Sequence, residues 1–169
     1  MNVGQELLFL EQSNAIEAEY DAQALLDAFS AWQYIRRHRT LNLWNIRNTH
    51  YRLMQSRTTI GKTDIGAFRT EAVWIAGREA IHWANIKPML EEWCDDLNTL
   101  LKGARDATMD EERVKQFHVR YEKIHPFLDG NGRTGRIFMN WQRLRIGMPL
   151  HIIHTGREQQ EYYLWFSRI

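Results

Sequence analysis

The sequence predicts an all-α fold, a helical bundle that carries one small β-hairpin. Through most of the chain, apolar residues recur at the spacing of amphipathic helices. Only one segment, "RTEAVWIAG" at residues 69–77, has the composition of an extended strand. No repeat, low-complexity tract or Pro/Gly-rich linker interrupts the 169 residues, a length that suits one domain. We therefore expect residues 1–169 to form a single domain.

Three helices are predicted in the first third of the chain. The first covers residues 5–20 and the second covers residues 21–38. The third begins after Asn42, a residue type that caps helix N-termini, and runs to Met54. We expect their apolar faces to form a core that also holds most of the seven tryptophans. The face of the second helix consists of Leu25, Phe29, Trp32 and Ile35.

A loop and a hairpin are predicted next. Residues 55–66, "QSRTTIGKTDIG", are polar and contain two glycines, which favours a loop. Residues 69–77 form the first strand of the hairpin, and residues 80–83, "AIHW", form the second. His82 and Trp83 could contact a binding partner or pack against the domain, and we expect packing.

Two helices are predicted between residues 87 and 125. The first ends at Gly103 and carries Pro88 in its first turn, where a missing N–H costs nothing. The second opens with the capping box "TMDE" at residues 108–111. It ends at about His125, because Pro126 disfavours helical conformation in the preceding residue.

Two more helices are predicted after the loop at residues 125–132. One of them ends at Gly147, and the other opens with "TGRE" at residues 155–158.

The composition excludes several classes of protein. The formal net charge of +1 argues against a general attraction to nucleic acid or to an anionic membrane. Cys94 is the only cysteine, so an internal disulfide and a cysteine-based zinc cluster are excluded. The first residues have no secretory signal, and no apolar window reaches transmembrane length. We expect a cytoplasmic protein with no nucleic-acid or membrane partner.

The stretch "IHPFLDGNGRTGR", residues 124–136, concentrates the polar chemistry of the chain. His125 lies at the end of a predicted helix, where the dipole favours the charged imidazolium and suits a group that accepts a proton. The glycines around Asn131 lead into the next helix and allow consecutive N–H groups to surround an anion. The stretch therefore predicts a phosphate site with a histidine base beside it.

Three charged residues of this stretch support a nucleotide as the ligand. Arg133 and Arg136 are three residues apart on a predicted helix, so both can reach one phosphate group. Asp129 beside an anion site suggests a bridging Mg²⁺, which often binds one carboxylate together with substrate oxygens. The alternative is a glycine-rich turn that needs no ligand, and for "DGNG" alone that alternative is favoured. A turn does not require the histidine, the acid and the two arginines together.

The stretch "HPFLDGNGRTGR" matches the signature of the Fic family, H-x-F-x-D/E-G-N-G-R-x-x-R, at every specified position. The resemblance extends to "GAFRTEAVWIAG", which resembles the segment that leads into the flap of this family. It also includes "RIFMNWQRLRIGMPLHIIHTGREQQEYY", which resembles the region after the signature. The resemblance implies a Fic-type helical bundle with a β-hairpin flap and a catalytic core at residues 66–169.

Fic proteins transfer AMP from ATP to a Ser, Thr or Tyr hydroxyl of a target protein, and the resemblance implies this activity with Mg²⁺ as cofactor. It assigns the base to His125, the Mg²⁺ ligand to Asp129 and an anchor in the core to Phe127. The residues that it places around the nucleotide are Asp129, Gly130, Asn131, Gly132, Arg133, Thr134, Gly135, Arg136, Tyr162 and Tyr163, together with the flap residues Val73, Trp74, Ile75 and Ala76.

The resemblance also implies how these residues divide the ligand. The glycines and Asn131 surround phosphate oxygens, and Arg133 and Arg136 hold the β- and γ-phosphates. Tyr162 and Tyr163 lie near the adenine. The flap holds an extended segment of the target protein by strand pairing. Since relatives occur as monomers and as dimers, a homodimer is also compatible with the sequence.

The opening helix resembles a second motif of the family. "SNAIEA", from Ser13 to Ala18, resembles the inhibitory motif S/T-x-x-x-E-G/N. The resemblance implies that residues 1–20 form an inhibitory helix whose Glu17 pairs with Arg136, a pairing for which arginine is well suited. Ala18 departs from the motif, which has Gly or Asn there. The alternative is that Glu17 is a solvated helix residue.

Other functions are compatible with the same sequence. The scaffold can remove AMP from a modified target, with Glu17 positioning water, or transfer another phospho-group. A non-catalytic interaction module with an Arg-rich surface is a further alternative. The complete signature argues against a degenerate site, and the net charge argues against nucleic acid.

Overall fold

The computed structural model describes residues 2–75, 77–103 and 110–167. They form a helical bundle with one two-stranded antiparallel hairpin, as predicted. The short strands are β1 (Trp74–Ile75) and β2 (Arg78–Glu79). The α-helices are α1 (Val3–Ile16), α2 (Ala22–Ile35), α3 (Leu43–Met54), α4 (Ile86–Lys102), α5 (Glu111–Ile124), α6 (Asn131–Arg145) and α7 (Arg157–Tyr163).

Helix α6 is the centre of the bundle and is buried along most of its length. Phe138, on α6, packs edge-on against Tyr121 of α5 with ring centroids 5.2 Å apart, and it also contacts Trp93 of α4. Because α6 is fixed by this apolar packing, its N-terminal turn has a fixed position. The loop of residues 125–130, called the signature loop below, joins α5 to this turn.

The seven tryptophans divide between the core and the surface. Trp32, Trp93 and Trp141 are fully buried and the half-buried Trp165 packs against the core, so the expectation that most belong to the core holds by a narrow majority. Trp44, Trp74 and Trp83 are exposed. The expectation that His82 and Trp83 pack against the domain is wrong, because both are exposed and their rings contact each other. The hairpin is too short to cover them.

Several element boundaries differ from the predicted ones. The second strand is Arg78–Glu79, not residues 80–83, because the turn at Gly77 is tight. Helix α5 begins at Glu111 with Asp110 as its N-cap, which accepts a hydrogen bond from the Arg113 N–H. The predicted cap at residue 108 lies outside the described residues. Helix α7 begins after Gly156, one residue later than the predicted cap at residue 155.

Helix α1 ends at Ile16, four residues before the predicted end, in a Schellman motif. The Glu19 N–H donates to the Asn14 carbonyl and the Ala18 N–H donates to the Ala15 carbonyl, at 3.0 Å each. Ala18 therefore adopts a left-handed conformation with φ of 57°. Gly and Asn adopt this conformation most easily, which explains why the resembling motif has them at this position.

Ala18→Gly should stabilise the protein by about 0.5–1 kcal/mol, because the relief of left-handed strain exceeds the added entropy of the unfolded chain. For a chain of this size the melting temperature should rise by about 2 °C or more. Ala15→Gly, within the same helix, is the matched control and should instead destabilise by about 1 kcal/mol. A loss of stability in Ala18→Gly would contradict the assignment of the motif. Calorimetry of the three proteins measures both effects.

Among the helices that the structure describes, none is both long and apolar enough to cross a membrane.

Candidate active site

The signature loop connects α5 and α6 and is held from within. The side chain of Asn131 accepts from the Phe127 N–H at 2.9 Å and donates to the Phe127 carbonyl at 2.8 Å. Phe127 is fully buried, as an anchor of the loop should be. Asn131 is also buried, so a contact between Asn131 and a phosphate would involve its backbone N–H rather than its amide group.

His50 of α3 holds the loop from outside, a role that the sequence analysis missed. Its ring stacks on that of Phe127 with centroids 3.7 Å apart. Nδ1 accepts from the Gly66 N–H, so Nε2 carries the proton and donates to the Asp129 carbonyl, both at 2.9 Å. Burial lowers the pKa of His50 to about 4, which keeps this neutral form at physiological pH. In the sequence, His50 is a polar residue on the apolar face of α3 and carries no other signal.

Asp129 presents a partly exposed carboxylate at the entrance to the site. Thr59 donates to Oδ2 at 2.7 Å, and an Arg133 nitrogen lies 3.5 Å from Oδ1. Burial alone would raise the pKa of Asp129, but the Thr59 hydrogen bond and the Arg133 charge outweigh it and lower the pKa. The carboxylate is therefore ionised at neutral pH. Thr59, from the predicted loop, is a second residue of the site that the sequence analysis missed.

The residues around Asp129 fit a Mg²⁺ ion that is bound by the protein and a phosphate together, rather than a metal site built from protein ligands alone. In the described part of the chain, no three His, Cys, Asp or Glu side chains are grouped to hold a metal. A single ionised carboxylate is what Mg²⁺ commonly takes from a protein when phosphate oxygens and water complete its shell. Asp129 would therefore hold Mg²⁺ only together with a phosphorylated ligand.

The N-terminus of α6 has the geometry of an anion-binding site, called the anion site below. Gly130 caps the helix with φ of 76°, and the first N–H groups of a helix have no intrahelical acceptor. A Cβ atom added to Gly132 would lie 2.6 Å from Glu17 Oε1 and 3.0 Å from Arg136 Nη1. A carboxylate oxygen of the chain itself therefore occupies the space above Gly132.

Glu17 and Ser13 both bind Arg136, as the resemblance implies. Arg136 Nη2 donates to Glu17 Oε1 at 2.7 Å and to the Ser13 carbonyl at 2.9 Å. Arg136 Nε donates to Ser13 Oγ, also at 2.9 Å. Arg136 is 2% exposed, and oxygens of Ser13 and Glu17 accept three hydrogen bonds from its guanidinium. The alternative of a fully solvated Glu17 does not match this geometry.

A second acid from the end of α1 faces the other signature arginine. Glu19 Oε1 lies 3.8 Å from Arg133 Nη1, and Glu19 Oε2 accepts from Arg57 Nη1 at 2.5 Å. Arg57 also pairs with Asp21. Both signature arginines therefore face carboxylates that belong to one Schellman motif, at the end of α1.

His125 ends α5 in a left-handed conformation with φ of 48°. Its Nδ1 lies 3.3 Å from the Glu122 carbonyl, which can only accept, so Nδ1 carries the proton and Nε2 has a free lone pair. Burial lowers the pKa of His125, and the Arg69 charge acts in the same direction. The expectation that the helix dipole favours imidazolium is therefore wrong, because burial outweighs it. The neutral ring is the form that accepts a proton.

Tyr162, which the resemblance places near the adenine, contacts Arg136 in this structure. It is buried behind Arg136, and its hydroxyl lies 2.9 Å from His118 Nε2 and 3.5 Å from Arg136 Nη1. Burial lowers the pKa of His118 to about 3. Tyr162 therefore supports Arg136 from the core. Tyr163 is half exposed and hydrogen-bonds Gln159.

The other residues of α6 in the predicted site face inward. Thr134 is buried and donates to the Gly130 carbonyl at 2.8 Å, so it fixes the cap of the helix. Gly135 lies against His118 and Glu122. Burial raises the pKa of Glu122 to about 8. Thr134 and Gly135 therefore shape the helix N-terminus and do not line the anion site.

The hairpin is connected to the signature loop through Arg69, which donates to the carbonyls of His125, Glu71 and Ile81. Trp74 is largely exposed and pairs with Glu79, while Ile75 pairs with Arg78. Val73 is half-buried, and its carbonyl accepts from the Ala80 N–H at 2.9 Å. The fourth predicted flap residue, Ala76, lies outside the described residues.

Comparisons with known proteins match the signature and the fold. The model of the Fic/DOC family matches residues 40–142, more than half of the chain. The protein adenylyltransferase fic-1 of Caenorhabditis briggsae is 27% identical over 128 residues, which cover 76% of this chain and 24% of that protein. A uridine 5′-monophosphate transferase of Xanthomonas campestris is 48% identical over 46 residues, 27% of this chain and 9% of that protein.

Solved structures share the fold at lower identity. A Fic-domain protein from Bacteroides thetaiotaomicron has a TM-score of 0.80 and 19% identity, covering 97% of this chain and 71% of that one. Fic-1 from Caenorhabditis elegans has a TM-score of 0.75 and 19% identity, covering 96% of this chain and 55% of that one. The chain spans about a quarter of the curated fic-1 relative that it matches over 128 residues.

Proposed function

Because the chain belongs to the Fic/DOC family, we propose that it is a protein adenylyltransferase, moving AMP from Mg-ATP to a Ser, Thr or Tyr hydroxyl of a target protein. The observation that supports this most is the pairing of a neutral histidine with an anion site on one loop. His125 Nε2 has a free lone pair, and the loop continues into the anion site that Gly132 and Arg136 line. A proton acceptor beside a phosphate site suits attack by a hydroxyl on phosphorus.

The proposed step uses each group in turn. The oxygen of the target hydroxyl forms a bond to the α-phosphorus of ATP, and His125 Nε2 takes the proton of that hydroxyl. The bond from the α-phosphorus to the bridging oxygen breaks, and pyrophosphate leaves with that oxygen. Arg133, Arg136 and the N–H groups of α6 hold the leaving phosphates. Mg²⁺, bound through Asp129, supplies neutralisation of phosphate charge.

The hairpin is the proposed holder of the target. An extended segment that pairs with a strand edge receives main-chain hydrogen bonds without regard to its sequence. The hairpin follows Arg69, which contacts the His125 carbonyl, so a segment paired there would pass close to the base. The proposed partner is accordingly a protein that presents a hydroxyl side chain in an extended segment.

The described state is proposed to be a restrained one. The Glu17 carboxylate occupies the space above Gly132 and binds Arg136, so a γ-phosphate cannot reach either of them. Glu19 adds a second negative charge beside Arg133. Two like charges at one anion site repel, which weakens productive docking of ATP. Release requires the end of α1 to move or Glu17 to be removed.

The activity should depend on pH through His125. The base works only when neutral, so the rate falls as acid protonates the ring. Since burial lowers the pKa of His125 from the ordinary 6.5, the midpoint of this fall should lie below pH 6.5. Initial rates of Glu17→Gly measured between about pH 5 and 8 test this, since an ordinary histidine changes charge within that range. A midpoint above 6.5 would contradict the buried, neutral base.

The position of the label on ATP tests the reaction itself. With Mg²⁺ and a cell lysate as the source of targets, Glu17→Gly should label proteins from ATP carrying the label on the α-phosphate and not from ATP labelled on the γ-phosphate. Chelation of Mg²⁺ should abolish the labelling. Labelling from the γ-phosphate would instead indicate phosphate transfer.

Removal of AMP is the second candidate, and the retained Glu17 is the observation that favours it. A carboxylate held 2.7 Å from Arg136 beside the anion site can also orient a water molecule. Under this alternative the parent releases AMP from proteins that Glu17→Gly has labelled, and Glu17→Gly does not. Under the proposed function, the label is stable in the presence of the parent.

A further inference from the structure

We propose that Arg69 is a positioning residue that fixes the hairpin relative to the catalytic His125, so that a target segment and the base keep one geometry. This inference rests on the proposed function for its kinetic part and on the geometry for its structural part. Arg69 precedes the hairpin, in a segment without helix or strand. Its side chain is 3% exposed.

Arg69 binds the signature loop at two points. Its backbone N–H donates to the Pro126 carbonyl at 2.9 Å. Its Nε donates to the His125 carbonyl at 2.8 Å. Both acceptors belong to the turn at which α5 ends, so this end of Arg69 is fixed to the base itself.

The same side chain binds both ends of the hairpin. Nη1 donates to the Glu71 carbonyl, ahead of β1, at 2.8 Å. Nη2 donates to the Ile81 carbonyl, after β2, at 2.7 Å. One rigid planar group thus connects the two arms of the hairpin to the backbone of His125. A guanidinium presents its donors in a fixed fork, whereas a lysine has one compact ammonium that cannot reach three separated carbonyls.

The charge of Arg69 has no carboxylate within ion-pair distance in the described residues. The Arg69 side chain donates instead to three backbone carbonyls. Because a buried charge without partners is costly, the structure is stable only while these hydrogen bonds are kept. An arginine used only for stability is more often paired with an acid. Here the positive charge lies beside His125 and helps to disfavour its protonation.

The backbone of His125 gives an independent reason for the contact. Its φ of 48° places a residue other than glycine in the left-handed region, which costs on the order of 1 kcal/mol. Such a conformation persists where surrounding contacts hold it. The hydrogen bond from Arg69 Nε to the His125 carbonyl is one of these contacts, because it fixes the orientation of the peptide group that follows His125.

The position of Arg69 predicts a selective loss. Its contacts end at Pro126, so the anion site at Gly132 and Arg136 does not depend on them directly. Loss of Arg69 should leave ATP binding unchanged and misalign the target segment with the base. Misplacement of reacting groups by about 1 Å can cost roughly a hundredfold in rate.

The test compares Arg69→Lys with Arg47→Lys, both introduced into Glu17→Gly. Arg47 is the matched control, because its Nε also donates to a backbone carbonyl, that of Gly66 at 2.7 Å, yet among the described residues it makes no hydrogen bond to the hairpin or to the signature loop. Three quantities are measured: ATP affinity, labelling of lysate proteins from α-labelled ATP, and amide hydrogen exchange of residues 70–82 and 125–131.

Arg69→Lys should bind ATP within about twofold, lose roughly tenfold to a hundredfold in labelling rate and exchange faster in both segments. Arg47→Lys should change none of the three. Equal labelling by Arg69→Lys and its parent, or a loss of labelling matched by an equal loss of ATP affinity, would overturn the inference. If Glu17→Gly itself labels nothing, the proposed function fails, and hydrogen exchange still decides whether Arg69 couples the two segments.

Discussion

Glu17→Gly should raise the rate of AMP transfer roughly tenfold, because a hydrogen bond to a charged group contributes about 1.5–3 kcal/mol and the partial exposure of Glu17 places it at the lower end. The substitution frees Arg136 and the space above Gly132 for the γ-phosphate. It also adds a glycine at the end of α1 rather than inside it, so the fold should be kept. The initial rate of protein labelling from α-labelled ATP measures the effect.

Glu11 offers the matched control for this prediction. It is an exposed acid on the same helix, and Glu11→Ala should leave the rate unchanged. If Glu17→Gly and the parent transferred AMP equally fast, the contact between Glu17 and Arg136 would be structural and the described state would not be a restrained one. A smaller further gain in Glu17→Gly/Glu19→Gln would show that Glu19 adds to the inhibition.

His125→Ala, in the Glu17→Gly background, should lower the rate of AMP transfer by roughly 10²- to 10⁴-fold, the usual contribution of a general base. ATP affinity should stay within a few-fold, because the phosphate contacts come from Arg133, Arg136 and the N-terminus of α6. Titration calorimetry measures the affinity, and protein labelling measures the rate.

An exposed histidine controls for the loss of an imidazole. His154, just before α7, should tolerate substitution by alanine with no change in rate. Full activity of His125→Ala would remove the base from the proposed mechanism. A parallel loss of ATP affinity would instead mean that His125 shapes the anion site.

The parts of the fold that depend on local signals could be predicted from the sequence. The side chain of Asn42 caps α3, as that residue type commonly does. Helix α4 ends at Gly103 as predicted, although Gly103 has a φ of −83° and not the left-handed conformation that favours glycine there. The signature loop was also predictable, because Pro126 ends α5 and the glycines open α6. The contact between Glu17 and Arg136 was predicted through the resemblance, although 119 residues separate them along the chain.

Features that depend on burial could not be predicted. The protonation of His125 is set by the side chains that cover it, which a helix-dipole argument does not include. Tyr162 belongs to a segment that resembles the adenine side of the family site, yet its ring lies behind Arg136. The exposed positions of Trp74 and Trp83 likewise depend on the tertiary structure and carry no local signal.

The residues that hold the loop were missed because each is distant in the sequence. His50 reaches the Asp129 carbonyl across 79 residues, and Thr59 reaches the Asp129 carboxylate across 70. Neither has a spacing that marks it. Arg69 stood inside the segment "GAFR" that resembles the family, but only its four hydrogen bonds indicate what it does.

The mass of the intact protein after incubation with ATP and Mg²⁺ tests the proposed reaction most directly. The samples are the parent, Glu17→Gly and Glu17→Gly/His125→Ala, each incubated with a cell lysate as a source of targets and then repurified. We expect an added AMP on Glu17→Gly alone, with lysate proteins labelled in the same sample. An added phosphate, or neither an adduct nor a labelled protein with Glu17→Gly, would contradict AMP transfer by this chain.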